Sequence, residues 1–114
     1  MKKLKLKDAK SYDAPGHFGN TAIRLHHKDT TGSQYFHVGL SYFLPGGGAE
    51  MSTSEFDRVY YVISGTITVT GEDGKEIELE PTDSLFIATG ERRSVLNKTN
   101  EPVTMLVVGS YPKK

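Results

Sequence analysis

The chain has 114 residues, 14 Lys+Arg balanced by 14 Asp+Glu, and no cysteine. That length suits one domain able to bury a core without metal or disulfide staples, and the zero net charge argues against a nucleic-acid partner. The missing cysteines exclude disulfides, thiolate zinc sites and a cysteine nucleophile.

Five lysines crowd the first ten residues (Lys2, Lys3, Lys5, Lys7, Lys10), but no apolar h-region follows them, so this is not a signal peptide. No run approaches the ~18 apolar residues of a membrane span. The expectation is a soluble, cytoplasmic, single domain spanning 1–114.

In chain order, Lys3–Lys7 alternates Lys and Leu and reads as a half-buried edge strand guarded by charge. Residues 11–21 carry Pro15-Gly16 and Gly19-Asn20 and read as an ordered loop. Ala22–Lys28 is a short strand, Asp29–Ser33 a turn, and Gln34–Leu44 a long aromatic strand ending at Pro45. Val59–Ile63 and Thr66–Thr70 flank Ser64-Gly65, which reads as a two-residue hairpin turn. Glu72–Lys75 is a second hairpin turn, after which Glu76–Leu79 pairs back. Ser84–Ile87, Arg93–Leu96 and Val103–Val108 complete the chain. No stretch keeps a helical period for three turns. Around ten short strands with turns every eight to twelve residues predict an all-β sandwich or barrel.

Two stretches carry a family resemblance. Pro45–Gly65 (P-G-G-G-A-E-M-S-T-S-E-F-D-R-V-Y-Y-V-I-S-G) resembles the first cupin motif: a glycine-rich turn, H-x-H, E, six residues and G. Leu79–Asn97 (L-E-P-T-D-S-L-F-I-A-T-G-E-R-R-S-V-L-N) resembles the second, with Asp83 at its turn, Gly90 at its glycine and Asn97 at its asparagine. The resemblance implies a double-sheet β-barrel, the jelly roll of cupins. It also implies where a metal would sit, on two histidines and a glutamate of the first motif and a histidine of the second. Those positions hold Met51 and Thr53 (or Ser52 and Ser54), Arg58 and Arg93. Guanidinium has no lone pair to offer a cation. No cofactor is therefore expected, although a divalent metal on a site rebuilt from His37, Glu50 and Asp57 stays open.

Alternation along the strand puts Tyr60 and Val62 on the face of Arg58, and the resemblance turns Arg58 and Arg93 into the barrel. A buried arginine needs a counter-charge. Either both grip an anionic ligand, or they pair with Glu50, Glu55 or Asp57. His37 is the candidate acid/base if it points inward, but parity does not fix its face because both alternating sets are apolar. Tyr60 is a second proton-transfer candidate, while Tyr61 packs on the opposite face. His17 belongs to a loop that could cover the barrel. His26 and His27 are adjacent on a strand, so only one faces inward. Met51, Ser52, Thr53 and Ser54 line the expected mouth.

The leading expectation is a metal-independent enzyme acting on a carboxylated or oxyanionic small molecule by proton transfer, as a lyase, dehydratase or isomerase. Arg58, Arg93, Met51, Thr53 and His17 would hold the ligand, and His37 or Tyr60 would move the proton. A non-catalytic module that binds or senses a small anion is the rival from another class, and a metal-dependent oxygenase is the third reading. The resemblance also implies a homodimer joined through a sheet edge, with Lys3–Lys7 as the exchanged strand.

Overall fold

The computed structural model describes residues 1–112, which contain one 3-10 turn and nine strands. These are β1 (Lys10–Tyr12), β2 (His17–His26), β3 (Phe36–Thr53), β4 (Arg58–Ser64), β5 (Ile67–Gly71), β6 (Glu76–Leu79), β7 (Ser84–Ile87), β8 (Arg92–Leu96) and β9 (Val103–Ser110). Hydrogen bonding follows β6-β5-β8-β3-β9-β4-β7, with β2 on the free edge of β3 and β1 on β2. All pairings are antiparallel. The result is the expected all-β double-sheet barrel.

β3 is the strand that makes two sheets into one barrel. Its first half pairs with β9, and its second half pairs with β8. The bend between them lies at Pro45–Gly48, so the strand expected to stop at Pro45 continues to Thr53. Glycine makes this crossing feasible. A Cβ on Gly47 would lie 2.2 Å from the Gly19 carbonyl oxygen, and one on Gly48 would lie 2.0 Å from that of Val95. Asn97, fully buried, ties the bend down. Its side-chain nitrogen donates to the Phe43 and Glu101 carbonyls, and its backbone exchanges hydrogen bonds with Gly46 and Gly47.

Three expectations are corrected. Lys3–Lys7 is not a strand: Leu6–Asp8 form a 3-10 turn, Leu6 is exposed, and the first strand is Lys10–Tyr12. A two-residue period supplies one apolar face but no partner, and within this chain the segment has none. Residues 11–21 are not one loop. Pro15-Gly16 turns the chain, but Gly19, at φ +55°, is absorbed as a bulge between Phe18 and Asn20. Ser64-Gly65 is not a hairpin turn either. β4 pairs with β7 and β9, whereas β5 pairs with β6 and β8. Gly65, at φ +79°, swings the chain from one sheet to the other. The Glu72–Lys75 turn does join a hairpin, β5–β6.

The inward positions on β9 are Val103, Met105, Val107 and Gly109, a row that divides the barrel. Around Val103 and Met105 lie Phe43, Val62, Ile67, Val69, Leu79 and Val95, all buried and apolar. Burial of this cluster supplies the main driving force for folding. Toward Gly109 the same rows become polar: His37, Gly109 and Arg58 stand side by side in register across β3, β9 and β4. That end is hollow.

Candidate functional site

A cavity of about 460 Å³ opens at the polar end, walled by β1, β2, β3, β4, β8 and β9. The register places His37, Gly39, Ser41 and Phe43 on its side of β3, which settles the parity that the sequence left open. Val38 and Leu40, of the other parity, also contribute to the lining, and Tyr42 does not.

Arg93 is 8% exposed, at an inward position of β8. Its Nε donates to the Tyr60 hydroxyl at 3.2 Å, and its Nη1 donates to the Ser52 carbonyl and hydroxyl at 3.1 and 3.0 Å. All three partners are neutral. Ser52 faces Arg93 because β3 carries an extra residue between Ala49 and Ser52, which reverses the alternation there. That bulge also turns Met51 away. Met51 is exposed and does not line the cavity, whereas Ser52 and Thr53 do. Ser54 is buried outside the lining, donating to the Phe56 carbonyl and so fixing the loop that carries Glu55 and Phe56.

Arg58 enters from β4, its guanidinium carbon 4.5 Å above the Phe56 ring. Its Nε is buried with no hydrogen-bond partner among the described residues. Burial holds its pKa below the ordinary arginine value; Tyr60 opposes the fall and Arg93 adds to it. Among the described residues, no ion pair joins Glu50 or Glu55 to Arg58 or Arg93. The ion pairs of Lys and Arg among the described residues are Arg92–Glu72 and Lys98–Glu76, while His27 Nδ1 lies 3.5 Å from an Asp29 carboxylate oxygen. Asp57 instead accepts from the Thr89 backbone and hydroxyl.

His37 stands next to Arg58, edge-on to Phe56 at 5.0 Å. Gly109 makes the room. A Cβ there would lie 2.6 Å from His37 Cε1 and 2.7 Å from Phe56 Cε2. Burial lowers the His37 pKa from 6.5, and His27, Arg58 and Arg24 lower it further, so the ring is neutral at pH 7. His27 lies 6.0 Å from His37, and its pKa is lowered chiefly by burial, then by Arg24. Its Nδ1 accepts the Asp29 backbone N–H, which places the proton of the neutral ring on Nε2. Of the adjacent pair, His27 lines the cavity. His26 bonds Thr31 in the turn.

His17 also lines the cavity, but from the first residue of β2 rather than from a covering loop. Its ring stacks on Phe43 at 6.4 Å, and its Nδ1–H donates to the Pro15 carbonyl.

Sequence reasoning missed Arg24. It is half-buried on β2, two residues beyond buried Ala22, with its guanidinium carbon 4.5 Å over Tyr12. The alternation Ala22-Arg24 was the available signal, hidden because a lone arginine in a strand whose inward face is unassigned looks like solvent-facing charge. Tyr12, Glu55 and Phe56 were also not foreseen as lining residues.

The donor set does not fit a divalent cation. The four family positions present guanidinium, hydroxyl or thioether groups, and no group of three or more His, Asp or Glu that could hold a metal occurs among the described residues. The lining instead carries three arginines against one carboxylate, Glu55. Charge in the lining is therefore predominantly positive.

Comparison with known proteins agrees with the architecture. The family model of the cupin domain matches residues 39–109. A protein of Mycobacterium tuberculosis named beta-D-galactosidase is 37% identical over 112 residues, which is 98% of this chain and 96% of that protein. Among solved structures, the polyketide cyclase RemF of Streptomyces resistomycificus is similar with TM-score 0.86 and 23% identity, over 96% of this chain and 79% of that one. A sugar phosphate isomerase of Silicibacter pomeroyi is similar with TM-score 0.78 and 26% identity, over 96% and 76% of the two chains.

Proposed function

The chain belongs to the cupin family, and on that premise we propose that it is a metal-independent enzyme of the lyase or isomerase type acting on an oxyanionic small molecule. One observation carries this reading. Arg24, Arg58 and Arg93 enter one cavity, none of them in an ion pair among the described residues, and Arg58 Nε is buried without a partner. Buried cations are costly until an anion meets them. A carboxylate, phosphate or enolate oxygen supplies that partner, and guanidinium's planar fork matches it.

The same groups suit proton transfer next to a carbonyl. Neutral His37 accepts the proton, and the arginines stabilise the charge that develops on oxygen. The Tyr60 oxygen accepts from Arg93, which leaves its hydrogen free to be donated. The solved relative named as a sugar phosphate isomerase supports a phosphorylated or otherwise anionic substrate in this fold.

The test is calorimetric and thermal-shift titration with inorganic phosphate, sugar phosphates and hydroxy- or keto-acids, followed by proton exchange into any bound compound in D2O. Saturable binding lost in Arg93→Met, with exchange lost in His37→Gln, is the expected result. Binding without exchange of any compound makes the protein a non-catalytic anion-binding module. Stoichiometric transition metal in the purified protein would overturn the metal-independent reading.

A second reading rests on the 37% identity to the protein named beta-D-galactosidase. Glycoside hydrolysis ordinarily uses a pair of carboxylates, and Glu55 alone lines this cavity. Release of a chromogenic aglycone from a β-D-galactoside, abolished in Glu55→Gln, would establish that activity.

A further inference from the structure

Beside the arginine-lined cavity lies a second cleft of about 420 Å³, between β1 with its following turn and the first half of β2. The two share Tyr12, Ala14, His17 and Ala22 in their walls, so they adjoin. Their chemistry differs sharply. The first holds all three inward arginines. The second adds Ser11, Asp13, Asn20 and Thr21, side chains that donate and accept hydrogen bonds but bring no cation.

Asn20 is the informative residue of that cleft. The bulge at Gly19 sets it opposite Phe43, on the inward side of β2. Its amide nitrogen is buried with no acceptor among the described residues. Buried amide donors are nearly always satisfied, so this one is an unmet demand for an oxygen. Asp13 makes no ion pair among the described residues and offers a carboxylate to hydroxyl donors on the same ligand.

Resting on the anion reading above, we propose that the ligand is a polyhydroxylated anion, a sugar acid or a sugar phosphate. Its charged end meets Arg24, Arg58 and Arg93, and its hydroxylated chain runs past His17 and Tyr12 to Asp13 and Asn20. A second anionic group would face Asp13 and is disfavoured there, and an apolar tail would leave Asn20 and Asp13 unanswered.

Titration calorimetry decides this with four kinds of probe: C6 aldonates of differing stereochemistry, hexose 6-phosphates, hydroxyl-free hexanoate, and inorganic phosphate. At least one hydroxylated anion is expected to bind more than about tenfold tighter than hexanoate and phosphate, the scale of one or two well-made hydrogen bonds. Asp13→Ala, an exposed position that leaves the fold intact, and Asn20→Leu should each remove most of that advantage and leave phosphate affinity unchanged. Aldonates alone binding identifies a sugar acid, and hexose phosphates alone a sugar phosphate. Hexanoate or phosphate binding as tightly as every hydroxylated probe, with Arg93→Met abolishing it, overturns this inference and keeps the anion site. A preferred hydroxylated anion indifferent to both cleft variants overturns the placement of its chain. No anion binding, or binding unchanged in Arg93→Met, overturns both readings.

Discussion

At the scale of the residue, Arg93 shows how a cation can be buried without being neutralised. Tyr60 and Ser52 meet its Nε and Nη1 with neutral oxygens, and on our proposal its charge is left for a ligand. Arg93→Met should weaken anion binding by about a hundredfold or more, the cost of losing one partner of a buried charge pair. Titration with the preferred anion measures it, and affinity within a factor of about three of wild type, under ~1 kcal/mol, contradicts the assignment. His37 makes a pH prediction. Its folded pKa lies below the ordinary 6.5, so as pH falls through about 6.5 the unfolded chain takes up a proton that the native chain refuses. Stability should therefore be pH-independent above that value and fall below it, with the loss ending beneath the folded pKa. Denaturant midpoints from pH 7.5 to 4.5 should show the decline, shallower in His37→Gln. Turnover that needs neutral His37 falls in the same direction.

At the scale of the element, the bend of β3 carries the barrel. Gly48→Ala places a methyl group against the Val95 carbonyl, a backbone atom that cannot rotate away. The variant should lose at least about 2 kcal/mol by denaturant unfolding, since β3 must part from β8. Asn97→Ala, which strands the Phe43 and Glu101 carbonyls in the interior, should cost about 2–3 kcal/mol. The Thr82 turn predicts the opposite sign. Thr82 is the one non-glycine residue at positive φ among those described, +73°, just before Asp83 caps the Glu80 N–H. A β-branched residue is strained in that region, so Thr82→Gly should stabilise by up to ~1 kcal/mol. Strands bounded by turn residues on both sides, Glu76–Leu79 and Ser84–Ile87, were legible to the residue. Strands containing Pro45, Gly46 or Gly19 were not, because a glycine or proline that breaks an isolated strand can instead bend a paired one.

At the scale of the whole molecule, the outer face of β4 and β7 exposes Tyr61, Ile63 and Phe86. Exposed apolar surface of this kind marks contact sites, and pairing of two copies stays our proposal. Sedimentation equilibrium should return a dimer mass, and a monomer at micromolar concentration refutes it. The Lys3–Lys7 segment pairs with no strand among the described residues. Sequence by itself determined the all-β class, the family resemblance, and the presence of arginines where related proteins place metal ligands. Periodicity and spacing are local properties, and they survive in a linear reading. Only the tertiary structure decided which strands are neighbours, which parity of Gln34–Leu44 faces inward, and that Arg24 joins Arg58 and Arg93. Bulges decided two details of the cavity wall. One extra residue between Ala49 and Ser52 exchanges Met51 for Ser52 at the cavity wall, and one between Arg24 and His26 lets Arg24 and His27 share it. A bulge exists only where two strands are paired, so no single-strand pattern can announce it.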